Sequence, residues 1–122
     1  MAIVDDDDSV RTALLGLLRA AGLSAKAFAS AEEFLASEHQ QQVGCLIADI
    51  RMPGMSGLHL QAELSARGRR VPTIFVTAHG DTNLRKQALR AGASELLLKP
   101  FRDDVLLEHV MAALATSAER IE

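Results

Sequence analysis

At 122 residues the chain is long enough to bury one hydrophobic core and too short for two. Hydrophobic residues make up 48% and charged residues 24%, a balance that excludes a disordered or fibrous segment, and no apolar run approaches the ~18 residues of a membrane span. The net charge of −3 hides a concentration: four consecutive aspartates, Asp5 to Asp8, contribute −4, and the other residues sum to +1. With four Phe, no Trp, no Tyr and no basic stripe, the chain lacks the footprint of direct nucleic-acid binding. No basic-then-apolar signal pattern precedes the aspartates, so a cytoplasmic location is expected. The lone Cys45, inside an apolar run, reads as a small core residue.

Along the chain, Ile3-Val4 starts a short apolar strand that ends abruptly in Asp5. Ser9 is the expected cap of a helix in which Val10, Ala13, Leu14, Leu17, Leu18 and Ala21 recur at helical spacing until Gly22. Leu23 to Phe28 alternates as a strand, and Ser30-Ala31-Glu32-Glu33 reads as a capping box with Phe34 and Leu35 inward. Gln40 to Gln42 is loop; Cys45 to Ala48 is an apolar strand ending at Asp49; Met52 to Gly57 is loop; Leu58 to Ala66 is helical, with Leu60 and Leu64 on one face. Val71 to Val76 is a buried strand closing at Thr77, and Asp81 caps a helix through Leu84, Ala88 and Leu89. A fifth strand, Glu95 to Leu98, leads to Lys99-Pro100, and the last helix turns Val105, Leu106, Val110, Met111 and Leu114 inward.

Five apolar strands alternating with five helices predict an α/β fold, a parallel sheet covered on both faces. Ligands of such sheets bind beyond the carboxyl ends of the strands. Asp5 and Asp6, Asp49, Thr77 and Lys99 all fall there, after strands one, three, four and five. Taken singly, each has a plain reading as a solvated turn, a helix cap or a loop start. Jointly they predict a site.

Carboxylates gathered at such a place repel one another by about 3 kcal/mol per pair, at a separation of about 5 Å and an effective dielectric of about 20. A hard dication with oxygen ligands, Mg²⁺ above all, would compensate, and Lys99 adds a fixed positive charge. With both in place Asp49 can act as a carboxylate nucleophile toward phosphorus, while the Thr77 hydroxyl can bond a phosphoryl oxygen.

The chain resembles a two-component response-regulator receiver domain over nearly its whole length. The residues that carry the resemblance are Ile3-Val4-Asp5-Asp6-Asp7, Asp49 through Gly57, Thr77-Ala78-His79-Gly80-Asp81, Ala91-Gly92-Ala93 and Leu98-Lys99-Pro100-Phe101. Val10-Arg11, Leu60-Gln61 and Ala78-His79-Gly80-Asp81 make it similar to the FixJ-type branch. The resemblance implies a (βα)5 flavodoxin-like fold with strand order 2-1-3-4-5. It makes Asp49 the phosphoacceptor, Asp6 a direct Mg²⁺ ligand, Asp5 a ligand through water and the Arg51 carbonyl a third protein ligand, with Thr77 and Lys99 the phosphate-sensing pair and Lys99-Pro100 cis. It also implies a histidine kinase as phosphoryl donor and a helix-turn-helix output domain that binds DNA. Residues 1–117 would then be the receiver and 118–122 the start of a linker, with a stand-alone receiver as the alternative.

Several positions modulate this reading. Leu96 stands where the family usually has an aromatic switch residue, so the usual ring flip is ruled out. Leu84, Leu96 and Leu98 could form an apolar patch on the fourth-helix and fifth-strand face for a phosphorylation-dependent homodimer, although ordinary core packing is the better reading for at least Leu84. Arg51 and His79, each two residues past a site residue, are expected to flank the path of the hydrolytic water, and His39, His59 and His109 lack metal-ligand spacing. Three other classes compete less well. A pseudo-receiver would lack an acidic, Thr or Lys position, a dehalogenase-type hydrolase wants Asp where Arg51 stands, and dinucleotide binding wants a glycine-rich turn where the four aspartates lie.

Overall fold

The computed structural model describes residues 1–38, 43–78 and 82–119. Within them, five strands and five helices alternate: β1 (Ala2–Val4), α1 (Asp8–Ala20), β2 (Lys26–Phe28), α2 (Ala31–Ala36), β3 (Leu46–Ala48), α3 (Gly57–Ala66), β4 (Thr73–Thr77), α4 (Thr82–Arg90), β5 (Glu95–Leu98) and α5 (Asp103–Glu119). The strands form one parallel sheet in the order β2-β1-β3-β4-β5, as the resemblance implies.

Strand side chains alternate between the two faces of a sheet, and here both faces are apolar. Ala2, Val4, Leu46, Ala48, Phe75 and Leu96 pack with Phe34, Leu60, Leu64 and Ala88, under α2, α3 and α4. Ile3, Ile47, Ile74 and Val76 pack with Leu14, Leu18, Leu106 and Val110, under α1 and α5. Cys45 is buried in the second layer, and burial pushes its thiol up to about 12, so it stays protonated in the core.

Local chemistry fixes the helix starts. Ser30 accepts a hydrogen bond from Glu33 N at 3.0 Å and Ser56 one from His59 N at 3.1 Å, each satisfying a free N–H of the first turn. The first helix departs from expectation. Its cap is Asp7, which accepts from Ser9 N at 2.8 Å and Val10 N at 3.2 Å, so Ser9 lies inside the helix. A carboxylate bonds those positive N–H groups more strongly than a hydroxyl would.

Other boundaries shift for similar reasons. β2 is confined to Lys26–Phe28, where β1 supplies partners, and β4 begins at Thr73 because Pro72 has no N–H for the ladder. Ala13 within α1 and Ala21 just past its end are exposed, and in α5 Met111 is half exposed, not inward. The expected cap Asp81, along with His39, His79 and Gln40 to Gln42, lies outside the described residues.

Gly57 opens α3 with its N–H donating to the Ile50 carbonyl at 2.8 Å, and a β-carbon there would run into the Asp49 carbonyl oxygen and lie 3.0 Å from the Phe75 ring. Both neighbours are fixed, one being backbone and the other a fully buried ring. Gly57→Ala is therefore expected to lower stability by about 3 kcal/mol, the upper range for overpacking a core, in urea unfolding. Gly16→Ala, in the middle of α1 where an added β-carbon meets nothing, should instead raise stability by about 1 kcal/mol in the same measurement.

Candidate functional site

The strand order makes β1 and β3 neighbours although their chain connections leave in opposite directions, and this switch point opens a crevice at the carboxyl ends of the strands. Asp5 N still donates to Phe28 O at 3.1 Å and Asp49 N to Val4 O at 3.0 Å. Each aspartate is thus held by the ladder one residue past its strand, which aims both into the crevice. Asp5 is fully buried and Asp49 nearly so, whereas Asp6 is exposed. One carboxylate oxygen from each of the three lies within 4.8 Å of the others.

Lys99 reaches across from the end of β5. Its Nζ donates to Asp5 Oδ2 at 2.9 Å and to Asp49 Oδ2 at 2.9 Å, a double ion pair with only 18% of the lysine side chain exposed. Its backbone N–H donates to Thr77 O at 2.9 Å, and the Lys99-Pro100 bond is cis, as expected. Thr77 is fully buried at the end of β4.

The remaining carboxylate oxygens are also engaged. Asp7 N donates to Asp5 Oδ1 at 2.9 Å and Arg51 N to Asp49 Oδ1 at 3.2 Å, so the loop after each strand folds back on its own aspartate. Burial raises the Asp5 carboxyl above its ordinary range, against the lowering effects of the Asp7 N–H and Lys99, and the charge of Asp49 adds to the rise. For Lys99 burial works toward a lower value, but the hydrogen bonds and charges of Asp49 and Asp5 outweigh it and raise the ammonium above its ordinary value. Lys99 is therefore charged throughout the neutral range.

Two contributors were not evident from the sequence. Arg11 Nη1 donates to the Asp5 carbonyl oxygen at 2.7 Å and Nη2 to Asp8 Oδ1 at 2.7 Å, which pins the acidic loop to α1. Its position one helical turn after Asp8 was the available signal. Glu32 of α2 accepts from Met55 N at 3.4 Å and crowds Gly54, whose φ of +79° and missing side chain let the loop after Asp49 pass beneath the carboxylate.

The fourth-helix and fifth-strand patch also differs from expectation. Leu96 is buried at 3% exposure and Leu84 packs against the same core layer, which leaves only Leu98 of the three on the surface, at 52%. Leu89 of α4 and Met111 of α5 are the other large exposed apolar side chains among the described residues. An ion pair of 2.8 Å joins Arg85 of α4 to Glu95 of β5.

A buried acidic pair at the switch point that shares one lysine from a third strand keeps a net negative charge, so it defines a class of site that takes a cation and, with it, an anionic group. Comparison with known proteins gives that class a family. Residues 1–111 match the response regulator receiver domain model. The chain is 43% identical over 118 residues to the response regulator protein TodT of Pseudomonas putida, covering 97% of this chain and 52% of that protein. It is likewise 43% identical over 118 residues to the transcriptional regulatory protein FixJ of Azorhizobium caulinodans, covering 97% and 56%. The solved structure of the response regulator StyR superposes with a TM-score of 0.90 at 46% identity, over 98% of this chain and 60% of that one. The chain belongs to the receiver domain family of two-component response regulators, phosphorylation switches and not conventional enzymes. It spans about half the length of the curated relatives it matches.

The raised Asp5 carboxyl has a thermodynamic signature. A carboxyl whose folded value exceeds its unfolded one binds more protons when folded, so its contribution to stability grows as pH falls through the folded value and is complete below the unfolded one, near 3.8. In metal-free solution the stability of the wild type relative to Asp5→Asn should therefore rise as the solution is acidified from pH ~7 toward pH ~4. Urea titrations of both proteins across that range measure it, and a difference that falls on acidification contradicts the raised value.

Proposed function

We propose that Asp49 is the phosphoacceptor of this receiver domain. The single observation that carries the proposal is the Lys99 ammonium held 2.9 Å from both Asp49 and Asp5, on the β1/β3 crevice. In the reaction an Asp49 carboxylate oxygen forms the new O–P bond as the P–N bond of a kinase phosphohistidine breaks, and the departing imidazole nitrogen keeps the electron pair. Lys99 moves its donor bonds to the incoming phosphoryl oxygens, and the Thr77 hydroxyl turns to bond another. The domain thereby promotes only its own phosphorylation and dephosphorylation.

Mg²⁺ fits this donor set. Asp5, Asp6 and Asp49 offer three hard oxygens within 4.8 Å, close to the span of ligands about 2.1 Å from one small ion. Asp6 and Asp49 would bind it directly, Asp5 through water, and the backbone carbonyl of Arg51 would complete the protein's share. Such an ion supplies neutralising charge for the carboxylates and for the phosphoryl oxygens. Arg51 and His79 would flank the attacking water and set how long the phosphoryl group lasts.

The same reading extends to the whole protein. The relatives named above include a transcriptional regulatory protein of about twice this length, which supports a role as the N-terminal receiver of a DNA-binding regulator. Residues 1–117 would be the receiver and 118–122 the start of a linker. The phosphoryl donor would be a sensor histidine kinase in the cytoplasm, consistent with the lack of any membrane-crossing helix among the described residues. Contact with DNA would fall to the output domain.

Two experiments test the proposal. Mg²⁺ at ten times its dissociation constant should stabilise the wild type by about 1.4 kcal/mol, and acetyl phosphate should label the wild type and leave Asp49→Asn unlabelled. Labelling that persists in Asp49→Asn removes Asp49 as the acceptor. Phosphorylation should also favour a homodimer through the α4-β5 face, where Leu98 and Leu89 are exposed. Sedimentation with beryllofluoride and Mg²⁺ should reveal that dimer, and a monomer throughout would refute it.

A further inference from the structure

Four aspartates stand in a row after β1, and three of them have partners within the fold. Asp5 is fully buried and takes Lys99 on Oδ2 and the Asp7 N–H on Oδ1. Asp7 caps α1 by accepting from Ser9 N and Val10 N. Asp8 pairs with Arg11 at 2.7 Å. Asp6 is different: it is exposed, and among the described residues its carboxylate accepts no hydrogen bond, yet one of its oxygens lies within 4.8 Å of those of Asp5 and Asp49.

A side chain without bonds of its own is directed by its backbone. The peptide unit that joins Asp5 to Asp6 sets the direction in which Asp6 leaves the strand. Its N-terminal neighbour is fixed, since Asp5 N donates to Phe28 O at 3.1 Å. Its carbonyl oxygen, that of Asp5, lies past the end of the ladder, and no backbone N–H among the described residues bonds it. Arg11 does, through Nη1 at 2.7 Å, while Nη2 of the same guanidinium holds Asp8 at 2.7 Å.

Two donors of one rigid planar group thus clamp the loop at residue 5 and at residue 8, with Asp6 and Asp7 between them. The Arg11 side chain is only 18% exposed, so water competes little for those bonds. A lysine ammonium in its place would be a point charge and could not reproduce the fork.

Resting on the Mg²⁺ reading proposed above, we infer that Arg11 is a positioning residue of the metal site: by holding the Asp5-Asp6 peptide it aims the Asp6 carboxylate at the ion, without being a ligand itself. The expected effect has the opposite sign to simple electrostatics. Arg11 is a cation beside a cation site, so Coulomb repulsion alone would have its removal tighten Mg²⁺. Loss of aim weakens Mg²⁺ instead, because removing a group that orients metal ligands costs about 10–100-fold in affinity.

Amide-resolved NMR titrations of the full 122-residue chain with Mg²⁺ alone, without a phosphoryl donor, read this affinity directly from the Asp6, Asp7 and Asp49 amides. Arg11→Met, which keeps much of the apolar stem and removes both donors, should weaken Mg²⁺ about tenfold. Arg11→Lys, which keeps the charge without the fork, should weaken it about threefold. Asp8→Asn, which spares the bond to the Asp5 carbonyl, should change it by less than about twofold, since the Asp8 side chain is 91% exposed. Coupling separates aim from a general loosening of the fold: in an Asp6→Asn background, where no Asp6 carboxylate is left to direct, Arg11→Met should cost less than about twofold further. The inference is overturned if Arg11→Met binds Mg²⁺ as tightly as the wild type or more tightly, or if its full cost persists in the Asp6→Asn background. If Arg11→Met does not fold, wild-type affinity in Arg11→Lys overturns it. A wild type whose amides show no saturable shift up to about 50 mM Mg²⁺ removes the metal reading itself, and this inference with it.

Discussion

The molecule is organised around two buried carboxylates that cannot be left alone. Asp5 and Asp49 end adjacent strands, face one crevice and are almost without solvent, so each lacks most of the hydration that would stabilise its charge. Lys99 resolves the conflict by donating to both at 2.9 Å. The arrangement is a compromise, because two carboxylates share one ammonium in a poorly solvated place, and removing Lys99 would leave both of them uncompensated. A change of charge in the crevice therefore acts on all three side chains at once. A receiver domain uses this sensitivity as its signal.

The surrounding structure holds this triad in place. Arg11 fastens the Asp5 carbonyl to α1, and Gly57 lets α3 press directly against the Asp49 carbonyl, so helices on both faces of the sheet meet the site through backbone contacts. On the far side Lys99 is tied to Thr77 through its own N–H, which links the ends of β4 and β5. The same two strands carry the α4-β5 region, where Leu96 lies in the core with Phe75 and Ala88. Leu96 there is buried at 3% exposure, and as an aliphatic side chain it has no ring to flip. The outer surface there carries Leu98 with the Arg85–Glu95 ion pair, a face on which small shifts alter both apolar and charged contacts.

Much of this was legible before any coordinates. The alternation of apolar strands with amphipathic helices gave the class of sheet, because burial on both faces forces near-continuous apolar runs such as Cys45 to Ala48. Phe34, Leu60, Leu64, Leu14 and Leu18 all point inward as their spacing predicts. The departures occur where local chemistry offers two solutions. Asp7 and Ser9 are both good caps, and the carboxylate took the role. Met111 fits the apolar stripe of α5 by spacing, yet it sits past the edge of the face that the sheet covers. Leu96 was read as part of a surface patch and Leu84 more readily as core, since a leucine's chemistry is the same in both places, and both lie in or against the core layer that holds Phe75.

The sequence by itself determined which residues stand at strand ends, because a strand stops where an apolar run meets aspartate, threonine or lysine, and that local rule reached Asp5, Asp49, Thr77 and Lys99. Their meeting was decided by tertiary structure. Strand order is a long-range property of how crossovers wind and layers pack, and the order β2-β1-β3-β4-β5 brings residues 5 and 49 each within one hydrogen bond of residue 99. The same holds for Glu32 under the loop after Asp49. A contact between distant segments depends on the geometry of everything folded between them, and no spacing rule along the chain encodes that geometry.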